Sequence, residues 1–290
     1  MLELGSRGTR IAIAVLFAAA LARAAAAQTI TGVVAAKNAG NGADEYFNDP
    51  GVSYERESTL AVTAASATSI TTRYSGLVSA DSGLFGSARL EILNSDYTLS
   101  FTVTAPGAYR LNVATQRKGD LHLVEDNVLA ADHYADMTAL TGASSGGTLT
   151  AGTLNLADPG RANDIPFVFD PISVPFNQTS SATVFGVSNG GGVAHTLTFT
   201  WSQEAYSPAS GDEAAVRMGG TSNDPTETAA DYPGAPARVQ AEDGHFVTVT
   251  LVSLCGNGVI DSGPSYSEQC DDGAATGTAG SCCAANCTLR

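Results

Sequence analysis

From Tyr97 to Val103 the chain alternates strictly, with Tyr97, Leu99, Phe101 and Val103 on one face and Thr98, Ser100 and Thr102 on the other. That is the period of a half-buried strand. Ala105-Pro106-Gly107 then reads as a turn, and Tyr109, Leu111 and Val113 resume the alternation, so the pattern predicts a β-hairpin. Gly119-Asp120 reads as a further turn, with Leu121 and Leu123 opening a third strand of a meander. A second block has the same form: a short apolar strand at Thr183 to Val187, a turn at Asn189 to Gly192, and then Leu197, Phe199 and Trp201 facing one way, Trp201 toward the core. The last strand runs from Phe246 to Val252, with Val247, Val249 and Leu251 on one face.

Between these blocks, Thr141 to Gly152 and Gly219 to Pro236 are polar and small, and read as long surface loops. Helical periodicity is weak throughout, and no internal repeat of fixed period is present. Many short strands separated by Gly and Pro turns predict an all-β fold, an antiparallel β-sandwich of the jelly-roll kind. The expected organisation is a leader at 1–27, a sandwich domain at 28–254 and a cysteine-rich module at 255–290. No linker separates the last strand from Cys255, so the module is expected to sit against one end of the sandwich.

The leader reading rests on Arg7 and Arg10 ahead of an apolar run from Ile11 to Leu21, followed by alanines. Ala25 and Ala27 suit a signal peptidase, with the mature chain starting at Gln28. The competing reading is an anchoring helix, but the run is shorter than the roughly 20 residues a bilayer requires. No second apolar stretch could span a membrane. The expectation is therefore a protein that is secreted or held at the cell surface.

Charge changes the picture further. The formal net charge is −15, and removal of the leader, with three arginines and one glutamate, makes it more negative. Lys37 and Lys118 are the only lysines. Such a surface repels nucleic acid and anionic membranes, so neither is an expected partner.

All five cysteines lie after residue 254, at Cys255, Cys270, Cys282, Cys283 and Cys287. A cysteine-free body joined to a dense cysteine tail predicts disulfide staples in place of a hydrophobic core, formed in an oxidising compartment. A zinc site is the alternative, which the export signal and the lack of paired Cys-x-x-Cys knuckles disfavour. The runs Cys255-Gly256-Asn257-Gly258, Glu268-Gln269-Cys270-Asp271-Asp272-Gly273, and Cys282-Cys283 with Cys287 together resemble the myxococcal cysteine-rich repeat. They are also similar to the start of disintegrin domains. Departures are the extra Pro264 to Ser267 segment, Asp261 in place of a glutamate, and Ala274 where asparagine is common.

The resemblance implies a bacterial source and a further cysteine beyond the last of this set, so that the odd count reflects a chain continuing past Arg290. An intermolecular disulfide is the alternative. It also implies a Ca²⁺ site at Asn257, Asp261, Glu268 and Asp271, since hard cations take oxygen ligands. The competing reading has Asn257 and Asp271 hydrogen-bonding tight turns.

The body offers little recognisable chemistry. Gly142-Ala143-Ser144-Ser145-Gly146 matches G-x-S-x-G, but no helix signal follows, so a loop is expected rather than a nucleophile elbow. His122, His133, His195 and His245 are scattered without metal-ligand spacing, and those within or beside strands read as surface or structural residues. The adjacent pairs Glu125-Asp126, Asp212-Glu213 and Glu242-Asp243 would point to opposite faces of a strand and suit turns. Asn177-Gln178-Thr179 is a glycosylation sequon that a bacterial host would leave idle.

With no catalytic residue assigned, the sequence favours a secreted, non-enzymatic binding or adhesion protein of the cell exterior. Its expected partner is a glycan or a protein, with glycan the first class to test. An extracellular hydrolase of polysaccharide or peptide is one alternative, requiring two carboxylates to converge from distant strands. A structural coat or matrix component is the other.

Overall fold

The computed structural model describes residues 28–38, 44–46, 53–81, 88–104, 106–124, 134–163, 172–207, 213–218, 243–263, 266–276, 283–284 and 287–289. The expected leader, the segment 219–236, His133, Cys282 and the Glu125-Asp126 pair lie outside those residues. Sixteen strands are described. In the first half are β1 (Thr29–Asn38), β2 (Asp44–Tyr46), β3 (Ser53–Ala65), β4 (Ser69–Asp81), β5 (Ala88–Thr104), β6 (Pro106–Val124), β7 (Tyr134–Met137) and β8 (Thr141–Ser145). In the second are β9 (Thr148–Gly152), β10 (Gly160–Asn163), β11 (Ile172–Asn189), β12 (Val193–Ser207), β13 (Glu213–Met218), β14 (Gly244–Ser253), β15 (Ser262–Gly263) and β16 (Tyr266–Ser267). The only helical turn among the described residues is a 3₁₀ turn at Gly273–Ala275.

Two antiparallel sheets form the body, as the alternation predicts. One is ordered β1-β5-β12-β7-β10, with β2 beside β5 and β8 beside β12. The other is ordered β3-β4-β14-β6-β11-β9, where β13 and β14 take successive stretches of the slot between β4 and β6. The wrapping is that of a folded ribbon. β4 pairs with β13, β5 with β12 and β6 with β11, and at each junction both chains of the ribbon pass from one sheet to the other.

This overturns the predicted hairpin and meander. β5 and β6 lie in different sheets, so the chain passes from one sheet to the other after Thr104 rather than folding back. The Asn189–Gly192 turn does the same for β11 and β12, and the two arches run side by side, with Asn189 opposite Pro106 and Val193 opposite Val103. The expected turn at Gly119-Asp120 is absent as well, because β6 continues unbroken for 19 residues. Gly119 is there for close approach: a Cβ at this position would stand 2.1 Å from the Arg217 carbonyl oxygen. Asp120 meanwhile receives a two-pronged pair from Arg217, at 3.0 and 2.6 Å, and a hydrogen bond from the Ser173 hydroxyl at 2.9 Å.

Thr141 to Gly152 is likewise a pair of strands rather than a loop. β8 adds to β12 in one sheet and β9 to β11 in the other, so this pair of strands arches across the sandwich edge and covers both strands there. Gly146, at the turn between them, has φ +88° and lies against the Ala194 backbone. A β-strand at this position rules out the nucleophile-elbow reading of the G-x-S-x-G match.

The core lies between the sheets. Tyr97, Leu99, Phe101, Val103, Leu197, Phe199 and Trp201 meet Ile70, Tyr74, Leu111, Val113, Val247, Val249 and Leu251, all buried. Burying side chains of this kind stabilises by about 1.5–3 kcal/mol each. At the arch end a smaller cluster of Ala108, Phe185 and Leu254, with Val252 and Tyr266 against it, carries the C-terminal module. The Leu254 amide donates to the Ala108 carbonyl at 3.1 Å, so the module is seated directly on the sandwich.

Candidate functional site

The C-terminal module is built on two disulfides, Cys255–Cys287 and Cys270–Cys283. Cys255, Cys287 and Glu268 place ligand atoms within 4.8 Å of one another. Both sulfurs are already bonded in the first disulfide, so neither is a thiolate donor and the trio is not a zinc centre. The four positions expected to hold calcium do come together, and their hydrogen bonds are local. Asp271 accepts from the Gly256, Asn257 and Gly273 amides at 2.9, 3.1 and 2.6 Å and from the Thr276 hydroxyl at 3.2 Å. Burial opposes its charge, but the Gly273, Gly258 and Gly256 amides and the Thr276 hydroxyl outweigh that and hold the carboxyl below its ordinary range.

Asn257 donates to Asp261 at 2.7 Å and accepts from the Val259 amide at 2.7 Å. Glu268 is buried and accepts from the Asp261 amide at 2.7 Å and the Tyr266 hydroxyl at 3.1 Å. Burial raises its carboxyl; the Asp261 amide and Tyr266 hydroxyl oppose this, and the Asp271 and Asp261 charges add to it. Through Tyr266, which packs on Phe185 at 6.1 Å between ring centroids, Glu268 links the Asn257–Asp261 loop to the sandwich. These bonds are those of a tied-down set of tight turns.

A different group of residues faces solvent on the body, at the β12–β7–β10 corner. Alternation turns Tyr134 and Asp136 of β7 outward while Ala135 and Met137 are buried, and does the same for Glu204 and Tyr206 of β12 against Gln203 and Ala205. Register completes the arrangement. Arg161, Asp136 and Glu204 stand opposite one another in a row across three strands, and Tyr206 and Tyr134 are opposite in the next row.

The two tyrosine rings lie 5.3 Å apart at a tilt of 46°. Tyr134 donates to Glu204 at 2.5 Å, and the Arg161 guanidinium lies over the Tyr134 ring at 3.3 Å from its centroid. Asp158 is at the rim, accepting from the Gly160 amide at 2.7 Å. The Asp136 carboxyl is pushed above its ordinary value, chiefly by partial burial and then by the Asp158 charge; Arg161 and the Met137 amide oppose this, and Glu204 adds to it. Two carboxylates directly opposite one another on neighbouring strands destabilise a sheet. Local rules of this kind are broken mostly at functional sites.

None of these residues was singled out from the sequence, although the parity signal was present. Ser202, Glu204 and Tyr206 continue the outward row of β12, and Tyr134 and Asp136 alternate with apolar neighbours. A four-residue strand is too short to stand out by periodicity.

The described histidines are all buried, which places them on the structural side of the expectation that they are surface or structural residues. His245 is enclosed by Tyr97, Phe199 and Trp201 and shares a 2.5 Å hydrogen bond with Thr115. Burial, aided by the Arg117 charge, pushes its imidazole down to about 3. His195 stacks on Phe101 and shares a 2.6 Å hydrogen bond with the Tyr109 hydroxyl; burial lowers its imidazole too. His122 is buried in β6.

Arg117 is also fully enclosed, donating to the Thr138 and Ala157 carbonyls at 3.0 and 2.9 Å and to Gln178 at 3.0 Å. Burial pushes it down to about 10, against the pull of Asp158. Of the adjacent acidic pairs, the described member Asp243 bonds Lys118 at 3.0 Å through its carboxylate and Arg73 through its carbonyl. Asn177 of the sequon is exposed on β11 and accepts from Gln116 at 2.8 Å.

No family model and no curated protein matches the chain. Among solved structures, a comparison with TmCBM61 in complex with β-1,4-galactotriose gives 13% identity over 55% of this chain and 83% of that one, with a TM-score of 0.12. No helix among the described residues is long and apolar enough to cross a membrane.

Proposed function

We propose that the chain is an exported, non-enzymatic β-sandwich that binds glycans through the outer face of the β12–β7–β10 corner. The observation that carries this reading is the tilted Tyr134–Tyr206 pair beside the Arg161–Asp136–Glu204 row on a solvent-facing sheet. An aromatic face stacks on the apolar C–H face of a sugar ring, and charged forks beside it hydrogen-bond the ring hydroxyls. Arg161 covers one face of Tyr134, so Tyr206 is the principal stacking surface. Among the described side chains three carboxylates stand against one guanidinium, and with a net charge of −15 this favours neutral or amine-bearing glycans over uronic acids.

The test is a glycan array followed by titration calorimetry on the best neutral, amine-bearing and uronic-acid chains. Tyr206→Ala should weaken binding about 10- to 100-fold, matching the loss of 1–3 kcal/mol of stacking and burial. Absence of binding to every glycan, or affinity unchanged in both Tyr206→Ala and Tyr134→Ala, would sink the proposal.

One observation favours a second reading, that of a hydrolase. Asp136 and Glu204 are a carboxylate pair in unlike environments, one raised and the other hydrogen-bonded by a tyrosine, as acid–base partners in glycosidases are. Release of new reducing ends that disappears in both Asp136→Asn and Glu204→Gln would favour it. Binding without turnover would favour the lectin-like reading.

A further inference from the structure

A polar layer crosses the middle of the sandwich core. From one sheet come Thr72, Thr115 and His245, side by side with inward-facing Tyr74 and Arg117. From the other come Tyr97, Trp201 and, next on the inward face of β12, Gln203. The rings are in mutual contact: Tyr97 lies 5.4 Å and Trp201 5.8 Å from His245, and Tyr97 and Trp201 lie 6.3 Å apart. The Tyr97 hydroxyl is beside Thr72. Thr72, Thr115, His245, Tyr97, Trp201 and Gln203 are each at most 2% exposed.

Six of their polar atoms are buried and make no hydrogen bond within the protein: Thr72 Oγ1, Tyr97 Oη, Trp201 Nε1, both amide atoms of Gln203, and His245 Nδ1. Left dry, six such atoms would together oppose folding by an amount comparable to the whole net stability of a domain. A folded sandwich therefore needs something that donates and accepts among them. Its chemistry is constrained from both sides. Trp201 can only donate, His245 offers a single ring nitrogen, and the Gln203 amide requires both a donor and an acceptor.

Arg117, which stands opposite His245, is engaged with Thr138, Ala157 and Gln178 and disfavours a cation alongside it. No carboxylate is among the residues of the layer. A neutral molecule with two donors and two acceptors meets these terms, and buried waters are held by two to four such partners.

We propose that the centre of the sandwich is an internal hydration site, in which ordered water bridges Thr72, Tyr97, Trp201, Gln203 and His245 across the two sheets. The site makes a sharp contrast with a dry core. If water bridges these groups, removing one of them leaves the others and the water short of a partner and lowers stability. In a dry core, replacing an unsatisfied polar group by an apolar one of similar shape raises stability.

The experiment combines oxygen-17 magnetic relaxation dispersion, which counts long-lived internal waters in the intact protein, with urea unfolding of Gln203→Met and Thr72→Val. The expected result is a dispersion in the wild-type chain whose amplitude falls in both variants, together with lower urea midpoints. A wild-type chain without dispersion overturns the proposal, whatever the variants do. So does a dispersion that both variants leave unchanged, which would place the water elsewhere, and so do midpoints that rise in both.

Discussion

Acid should unfold this protein chiefly through His245. Its imidazole is fully buried among Tyr97, Phe199 and Trp201, near the permanent charge of Arg117, and burial with that charge pushes it from 6.5 down to about 3. The folded protein therefore holds His245 neutral where the unfolded chain binds a proton. Between about pH 3 and 6.5 the unfolded state carries the extra proton, so stability rises with pH across that window. The contribution is complete above pH 6.5 and is lost as pH falls. At ~1.4 kcal/mol per pKa unit the window is worth at most about 5 kcal/mol, a large share of the ~5–15 kcal/mol that stabilises a domain.

The assay is urea unfolding from pH 3.5 to 7.5, comparing the wild-type chain with His245→Gln. Carboxylates titrate over the same range, and His195, also lowered by burial, adds to the slope. Both terms are common to the two proteins, so the difference between their slopes isolates one proton. The wild type should lose stability more steeply than the variant by close to one proton per molecule. Parallel slopes, or an NMR titration in which His245 protonates near 6.5 with the fold intact, would refute the reasoning.

Relieving the opposed carboxylates with Asp136→Asn should raise the unfolding free energy by about 0.5 kcal/mol while weakening glycan binding, since like charges directly across a strand pair cost about 0.2–1 kcal/mol. Equal losses of both properties would count against the site. Asp120→Ala leaves the Arg217 guanidinium buried without its partner and should cost about 3–5 kcal/mol by chemical denaturation, most of it recovered in the double variant Asp120→Leu/Arg217→Met. Reducing the disulfides should lower the unfolding midpoint of the module, with loop-closure contributions of about 4 kcal/mol for Cys255–Cys287 and about 3 kcal/mol for Cys270–Cys283, from separations of 32 and 13 residues.

Much of the core was legible because its strands bury one parity cleanly. Tyr97, Leu99, Phe101 and Val103 are all buried where alternation places them, as are Leu197, Phe199, Trp201, Val247, Val249 and Leu251. The same parity carried a message that residue type obscured. His245 continues the row of Val247, Val249 and Leu251; His195 continues that of Leu197; Arg117 follows Leu111, Val113 and Thr115. Polar character left the two histidines between surface and structural roles and gave no signal for Arg117, whereas register put all three inside.

Connectivity was not legible, for a physical reason. Ala105-Pro106-Gly107 bends the chain equally well for a hairpin within one sheet or an arch between two, and the choice is made by β11 and β12, which pair with β6 and β5 from far along the sequence. Nor could Gln178 to Ser181 announce the middle of an 18-residue strand, since that stretch buries none of its side chains completely. β8 and β9 are similar: hydrogen bonds to β12 and β11, rather than any buried row of their own, make them strands.

The wrapped ribbon also determines how the two ends of the molecule can be used. Each arch lies at the Pro106–Asn189 end, where Ala108, Phe185 and Leu254 receive the disulfide module. β12 leaves that end at Val193 and reaches Glu204 and Tyr206 eleven and thirteen residues later, about 36–43 Å along the strand at ~3.3 Å per residue. The cysteine module and the tyrosine–carboxylate face therefore occupy opposite ends of one strand. The module's two disulfides join its own residues to one another at the arch end. In the body, the β8–β9 arch and the Arg117 bonds to Thr138 and Ala157 tie the segment bearing Tyr134, Asp136 and Arg161 onto both sheets. The rigidity of the face is thus a property of the sandwich itself, set by a buried cation that anchors two carbonyls of the site-bearing segment rather than by the disulfides.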